Sequence, residues 1–330
     1  MRVLFFGGNW LNLAVYISTT LSFSLSLCAS LRLVSWNLLA SPYATPTKYP
    51  WCPPQYLEWE YRKSKIVPKL VGSLHADLLC LQEIQIDAWP DFFRELQGLY
   101  PTGILQNMTN DHPVANAVLL GPGWHVSRVE SRSRILIVVL RRDQNDTKAN
   151  TVASPLYLAN VHLEAGMSPE SNGIRYFQLK SLFKRLRHHC QLDKIEISKA
   201  SIVLAGDFNM LPSNPLHDFL SQGRLQDPND AAATSVMTTT KLLDAYYGSK
   251  ATASGTDMMP LDDHSQPTQH SLLSMTYAKG GILDYIWTSE HIRIKNTLFL
   301  HPQVTSSVAR QWPSLEYPSD HLPIGMDFDW

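Results

Sequence analysis

The chain has 330 residues, 44% of them hydrophobic and 17% charged, enough for a sizeable core and, by length alone, for about two domains. Its net charge of −1 excludes a grip on long duplexes through many phosphate contacts, and leaves a short or single-stranded phosphate substrate open. Four cysteines (Cys28, Cys52, Cys80, Cys190) with no CxxC spacing indicate neither a disulfide framework nor a zinc cluster.

Residues 1–30 combine Arg2, an apolar stretch around Leu11 to Ile17 and small residues at Ala29 and Ser30. That pattern reads as a secretory signal peptide. Its Ser/Thr content, and the absence of acids before Glu58, also fit an organellar transit peptide, and an uncleaved anchor is the third reading. The compartment follows the leader: secretory or organellar with it, cytoplasmic without it. Sequons at Asn107 and Asn145 matter only on the secretory route.

Beyond the leader, residues 31–36 read as a strand and the Pro-rich, aromatic stretch 42–54 as a loop. Residues 56–75 have helical character, with Pro68 as a kink or break. A strand over 77–82 and a helix over 91–100 follow, then strands over 115–120, 135–141 and 156–162. A basic helix spans 174–189, and strands are expected over 201–209, 281–288 and 323–328. The Ser/Thr/Asp/Pro-rich stretch 249–270 reads as a surface loop. Short strands with a few intervening helices, and no repeat period, indicate an α/β sandwich of two packed sheets covered by helices.

Six apolar runs end in an acid, amide or imidazole: Ser35-Trp36-Asn37, Gln82-Glu83, Asn160-Val161-His162, Gly206-Asp207-Phe208-Asn209, Leu283-Asp284-Tyr285 and Ser319-Asp320-His321. A buried strand ending this way delivers a polar group to the rim of a sheet. If the six rims share one cleft, residues 31–330 form a single domain. Glu83 and Asp320 are hard oxygen donors suited to Mg²⁺. Gly206 lets backbone pass close to a ligand while Asp207 and Asn209 project together. His321, beside Asp320, would need a buried carboxylate such as Asp284 to fix its tautomer, and His162 is placed to donate to a phosphate oxygen. Each residue alone also reads as an ordinary turn or core group; their joint occurrence favours an active site.

This ordered set resembles the endonuclease/exonuclease/phosphatase superfamily over almost all of the chain after residue 30. Tyr43-Ala44-Thr45, Tyr49-Pro50-Trp51-Cys52-Pro53, Trp59-Glu60-Tyr61-Arg62 and Arg175-x-x-Gln178 resemble its branch of carbon-catabolite-repressor-type deadenylases, nocturnin, angel proteins and the 2′,5′-phosphodiesterase. The resemblance implies a four-layer α/β sandwich of two mixed sheets flanked by helices, and Mg²⁺-dependent phosphodiester hydrolysis in which Mn²⁺ can substitute. It implies Glu83 as chief metal ligand with Asn37 and Asp320 beside it. Asp207 would orient or deprotonate the attacking water, Asn209 would position water and phosphate, and His321, paired with Asp284, would contact the phosphate together with His162. Asn37, Arg175 and Gln178 are expected on the substrate side.

The expected activity is a 3′-to-5′ exoribonuclease acting, as a monomer, on single-stranded RNA or short oligonucleotides. Deadenylases of the branch hold the terminal adenine with an Asn and a Phe ahead of Leu-Asp-Tyr; here Ser274 and Lys279 stand there, which puts adenine selectivity in doubt. A phosphatase of a small phosphorylated molecule is the alternative, and a non-catalytic binding module the third reading.

Overall fold

The computed structural model describes residues 30–108, 112–142, 154–222, 225–227, 230–235, 241–245, 276–299 and 311–330. The expected leader, the Asn145 sequon, the loop at 249–270 and Ser274 lie outside the described residues. In chain order the first elements are β1 (Leu31–Asn37), α1 (Pro54–Leu57), α2 (Trp59–Val71), β2 (Leu78–Gln85), α3 (Trp89–Leu96), β3 (Thr102–Leu105) and β4 (Val114–Leu120). Next come β5 (Trp124–Arg132), β6 (Ile135–Arg142), β7 (Leu156–His162), α4 (Pro169–Leu192), β8 (Ser201–Asp207) and α5 (Pro215–Gln222). They are followed by β9 (Leu225–Asp227), β10 (Asp230–Ser235), β11 (Leu242–Asp244), β12 (Asp284–Ser289), β13 (Arg293–Phe299) and β14 (Ile324–Asp329).

Among the described residues the strands form two six-stranded sheets, ordered β13-β14-β1-β2-β4-β3 and β11-β12-β8-β7-β6-β5, and a β9-β10 ribbon. Both large sheets are mixed, since β1–β2 and β7–β8 are parallel while β1–β14 and β6–β7 are antiparallel.

Alternation of side chains along each strand builds the layers. Leu33, Cys80 and Val118 of the first sheet meet Val138, Leu158, Val203 and Ile286 of the second in one fully buried cluster. On the outer face of the first sheet, Val34, Leu79, Leu81 and Leu119 pack against Ile66 and Leu70 of α2 and Phe92 and Leu96 of α3. The outer face of the second sheet, with Ile137, Ile202, Leu204 and Trp287, takes Leu182, Phe183 and Leu186 of α4 and Phe219 of α5. Each such side chain contributes roughly 1.5–3 kcal/mol when withdrawn from water. The result is the expected helix–sheet–sheet–helix sandwich, and residues Leu31–Trp330 form one compact unit.

Several elements depart from the sequence reading. The helix expected over 56–75 divides at Glu58, whose extended backbone (φ −61°, ψ 138°) separates α1 from α2. Pro68 does not break α2, which continues to Val71. Pro68 and Ser64, whose carbonyl the missing N–H would have bonded, both lie on the exposed face, where the carbonyl is open to solvent and the lost bond costs little. Helix α4 starts five residues earlier than expected because the Ser168 hydroxyl caps Ser171 N at 3.2 Å and Pro169 opens the first turn. Strands β3 and β5 had no clear signal: they are sheet edges whose residues, Trp124 apart, are half-buried or exposed, without an apolar run.

Candidate active site

The inward-facing row of residues on each central strand begins apolar and ends polar. On β1 the row is Leu31, Leu33, Ser35, Asn37; on β8 it is Val203, Ala205, Asp207; on β7 it is Leu158, Asn160, His162; on β12 it runs from Ile286 to Asp284. Strand register then brings the ends together. Asp207 is the Cα partner of His162 on one side and of Asp284 on the other, so β8 carries the central carboxylate between an imidazole and a second carboxylate. The close parallel crossing needs Gly206, at φ 142°, where an added Cβ would lie 2.0 Å from the Val161 carbonyl oxygen.

Glu83 arrives by a different route. Leu79 and Leu81 face the helices, and strict alternation would send Glu83 the same way. Pairing of β2 with β4 shifts between Leu81 and Ile84, and Glu83 takes φ 58°. This bulge returns Ile84 to the helical face and turns Glu83 to the rim. Asn209 (φ 51°) and Leu39 (φ 57°) are also left-handed, so backbone strain collects around the site.

The side chains converge on Asn37 and Asp207. Asn37 Nδ2 donates to Glu83 Oε1 at 3.2 Å and to Asp207 Oδ2 at 3.1 Å. Glu83 Oε2 accepts from Ala40 N at 2.8 Å, and Asp207 Oδ1 from Asn209 N at 2.9 Å. His162 Nε2 lies 3.7 Å from Glu83 Oε1 and 3.8 Å from Asp207 Oδ2. His321 Nδ1 is 2.8 Å from Asp284 Oδ2, and its Nε2 points to Asp207 Oδ2 at 3.6 Å. Asp320 Oδ2 accepts the Tyr49 hydroxyl at 2.5 Å. Thus eight of the predicted residues, Asn37, Glu83, His162, Asp207, Asn209, Asp284, Asp320 and His321, share one rim. Asn209 Nδ2 is turned to the Leu163 carbonyl at 3.0 Å, which fixes the turn after β8.

Burial and mutual charge set the protonation states. Asp207 is pushed up, to about 6, chiefly by burial, against the favourable charge of His321. Burial, followed by repulsion from Asp320, raises Glu83 as well. His162 is pushed down to about 4 by burial and is neutral at pH 7. Burial also opposes charging of His321, but the Asp284 and Asp207 carboxylates outweigh it and hold its affinity for the proton well above the ordinary imidazole value.

The donor set fits a divalent cation. Glu83 and Asp320 offer hard oxygen ligands, and the repulsion between them is what a cation would relieve, whereas the Asn37 oxygen, expected as a further ligand, accepts from Leu39 N at 3.0 Å while its Nδ2 faces the carboxylates. A second group, Asp207, Asp284 and His321, has ligand atoms within 4.8 Å of one another. With His321 Nδ1 engaged by Asp284, the ring nitrogen facing Asp207 is Nε2.

Arg175 and Gln178 make their contacts elsewhere. Arg175 Nη1 donates to the Glu164 and Gly166 carbonyls at 2.6 and 2.7 Å, and Gln178 Oε1 accepts from Glu164 N at 3.0 Å. They pin the loop whose Leu163 carbonyl holds Asn209. Sequence reasoning gave no role to Tyr49, Arg62 or Tyr277. Arg62 is fully buried and donates to the Leu38, Leu57 and Pro318 carbonyls, tying together the loops that carry Glu83's cap and Asp320. The signal was present: Arg62 lies in helical register with buried Ile66 and Leu70, a position where a cation needs internal partners. The Tyr277 ring packs on His321 with centroids 4.8 Å apart, and Lys279 lies over the Tyr49 ring at 5.9 Å.

A mixed two-sheet sandwich with carboxylates, amides and imidazoles on one rim defines the class, and residues 34–321 match the model of the Endonuclease/Exonuclease/phosphatase family. The chain belongs to that family. It is similar to 2′,5′-phosphodiesterase 12 of Bos taurus, 24% identical over 92% of this chain and 52% of the relative. It is also similar to the CCR4-Not complex 3′-5′-exoribonuclease subunit Ccr4 of Candida glabrata, 22% identical over 89% of this chain and 36% of the relative. The chain therefore spans about half or less of these curated relatives. Among solved structures, ANGEL2, a 2′,3′-cyclic phosphatase in complex with adenosine-2′,3′-vanadate, superposes with a TM-score of 0.66 at 20% identity, covering 91% of this chain and 95% of that one. The human Nocturnin catalytic domain gives 0.58 at 22% identity, covering 91% and 93%. These relatives come from the branch that the sequence motifs resemble.

Proposed function

We propose that this protein is a Mg²⁺-dependent phosphodiester hydrolase that removes nucleotides from the 3′ end of single-stranded RNA or short oligonucleotides, with Mn²⁺ able to replace Mg²⁺. The observation that carries the reading is the convergence of Asn37 Nδ2, His162 Nε2 and His321 Nε2 on one oxygen, Asp207 Oδ2, at 3.1, 3.8 and 3.6 Å. Glu83 and Asp320 would hold the cation, which would neutralise phosphate charge, while Asn37 orients the Glu83 and Asp207 carboxylates through its Nδ2. Asp207, its proton affinity raised towards neutrality, takes a proton from the attacking water as the new P–O bond forms and the bond to the leaving oxygen breaks. His321 stays protonated through Asp284 and donates to the phosphate oxygen on which charge accumulates, while neutral His162 donates without adding charge. The sequences and names of the relatives support this reading.

Product analysis with Mg²⁺ on poly(A), mixed RNA, single-stranded DNA and NADP⁺ tests it. Stepwise mononucleotide release from RNA is expected; phosphate release from NADP⁺ with RNA left intact would replace it with the small-molecule reading. That second reading is favoured by the net charge of −1, which supplies little general attraction for a long polyanion.

A further inference from the structure

Helix α4 buries one face on the second sheet and leaves the opposite face to solvent. The solvent face carries Ile174, Phe177, Lys180, Ser181, Lys184 and His188, at the three- and four-residue spacing that keeps side chains in line along a helix. Phe177, 64% exposed, is the most exposed large apolar side chain among the described residues, and Met167, at the entry to the helix, follows it at 57%. Beyond this apolar end the face turns cationic. Residues 171–192 hold five lysines and arginines and no acid, although the whole chain has a net charge of −1. The one acid of the helix, Glu170, lies in its first turn. Arg175 and Arg185 are engaged internally, on carbonyls and on Glu130, whereas Lys180 and Lys184 are exposed. Lys180 Nζ stands 5.9 Å from the Tyr176 ring, which packs on Phe177 with centroids 5.2 Å apart. The apolar end also joins the catalytic rim. Asn172 Oδ1 accepts from Arg175 Nη2 at 2.5 Å and from Asn214 Nδ2 at 2.7 Å, and Gln178 Oε1 accepts from Glu164 N. The first turns of α4 are thereby bonded both to the loop that follows His162 and to the loop that follows Asn209.

We propose that the solvent face of α4 is a track for the part of a single-stranded RNA that lies outside the catalytic rim, with Phe177 stacking a base and Lys180 and Lys184 pairing with phosphates. An aromatic platform followed by cations suits a polyanion whose bases have free faces. A membrane surface would instead need a continuous apolar stripe, and the stripe of this helix, Leu179, Leu182, Phe183 and Leu186, is already buried on the sheet. From Ile174 to His188 the face is about 21 Å long at 1.5 Å per residue, which matches roughly six nucleotides at about 3.4 Å each. The inference rests on the nucleotide-substrate reading, and its test is separable from that reading.

Fluorescence anisotropy of labelled uridine dinucleotide, hexanucleotide and dodecanucleotide on the full chain, in EDTA so that nothing turns over, tests it directly. The hexanucleotide is expected to bind at least about tenfold tighter than the dinucleotide, the scale of one stacked base, and the dodecanucleotide to add little. Phe177→Ala should remove most of that advantage, and so should Lys180→Gln combined with Lys184→Gln. The lysine pair should also flatten the slope of log affinity against log salt by about 1.4, two phosphate contacts at roughly 0.7 each. Lys65→Gln combined with Lys69→Gln, on the α2 helix that covers the other sheet, makes the same change in net charge and should preserve both. A hexanucleotide no tighter than the dinucleotide, an advantage that survives both α4 changes, or one lost equally in the α2 control would each overturn the track. Phe177-dependent binding of phosphatidylserine vesicles without any length advantage would overturn it too, in favour of a membrane surface. RNA hydrolysis by the wild-type chain with Mg²⁺ is scored separately. A length advantage that depends on α4 without hydrolysis leaves the track standing and removes the exonuclease; hydrolysis without the advantage does the reverse.

Discussion

Glu83 sits at a left-handed backbone position and beside a like charge, two unfavourable features that collect where the proposed chemistry takes place. Glu83→Gln is expected to lower phosphodiester hydrolysis by at least about 10²-fold while the melting temperature holds or rises, because the amide removes the repulsion from Asp320. A folded variant with wild-type turnover would show that Glu83 is not part of the machinery. Asp207→Asn removes the proposed base without changing shape, and a loss of about 10²–10⁴ in kcat, with a smaller change in KM, is expected from steady-state kinetics. Gly206 is constrained by space as well as by φ. Gly206→Ala should cost roughly 3 kcal/mol or more in urea unfolding, since the new methyl would meet the Val161 backbone and not a movable side chain. Asp207, Asn209 and Gly206 were legible together in the sequence as one tetrapeptide. Glu83 was legible as a candidate, but the bulge that aims it was not, because β2 is buried on both faces and its apolar run shows no alternation whose phase could be seen to shift.

At the scale of elements, the long helix α4 is tied to the second sheet through Asp193, the residue that caps its C-terminus. Asp193 accepts Tyr157 Oη at 2.8 Å and Arg141 Nη2 at 3.0 Å, and pairs with Arg128. Burial works against the Asp193 charge, yet the hydrogen bond from Arg128 and the surrounding donors outweigh it and hold its proton affinity below the usual aspartate range. Its folded-state affinity is depressed, so its contribution to stability is present above the unfolded value near 3.9 and is lost as pH falls through the folded value. Urea midpoints measured from pH 6 to pH 2 should therefore drop more steeply below about pH 4 in the wild type than in Asp193→Asn. Parallel pH profiles would mean that Asp193 does not link helix docking to protonation. The helix itself was readable from its pattern, whereas its anchor pairs residues from β5, β6 and β7 that share no local spacing.

Across the whole molecule, the two sheets are pinned beneath the site by a buried polar bridge. Gln82 Nε2 donates to Asn160 Oδ1 at 2.7 Å, and Asn160 Nδ2 donates to the Leu81 and Ala117 carbonyls at 2.9 and 2.8 Å, where the β2–β4 register breaks. Asn160 in one sheet thus satisfies the backbone of the bulge in the other, and so fixes Glu83 relative to Asp207. Asn160→Leu keeps the volume but takes the side-chain donor from those carbonyls and leaves the Gln82 amide only Ser35 Oγ and the Cys80 carbonyl, so a loss of roughly 2–4 kcal/mol is expected from chemical denaturation. It should also reduce turnover, which a purely local role would not. The sequence by itself determined the layered α/β class, through strand-length apolar runs, and the identities of the rim residues, because each run ends in a group that cannot be buried unpaired. Only the tertiary structure decided which partner each group has: Arg175 and Gln178 on a supporting loop, and Arg62 at the junction of three loops. The physical reason is that periodicity records which side of an element faces inward, while hydrogen-bond partners and clefts arise between elements distant in the chain, where only the packed sheets set the distances.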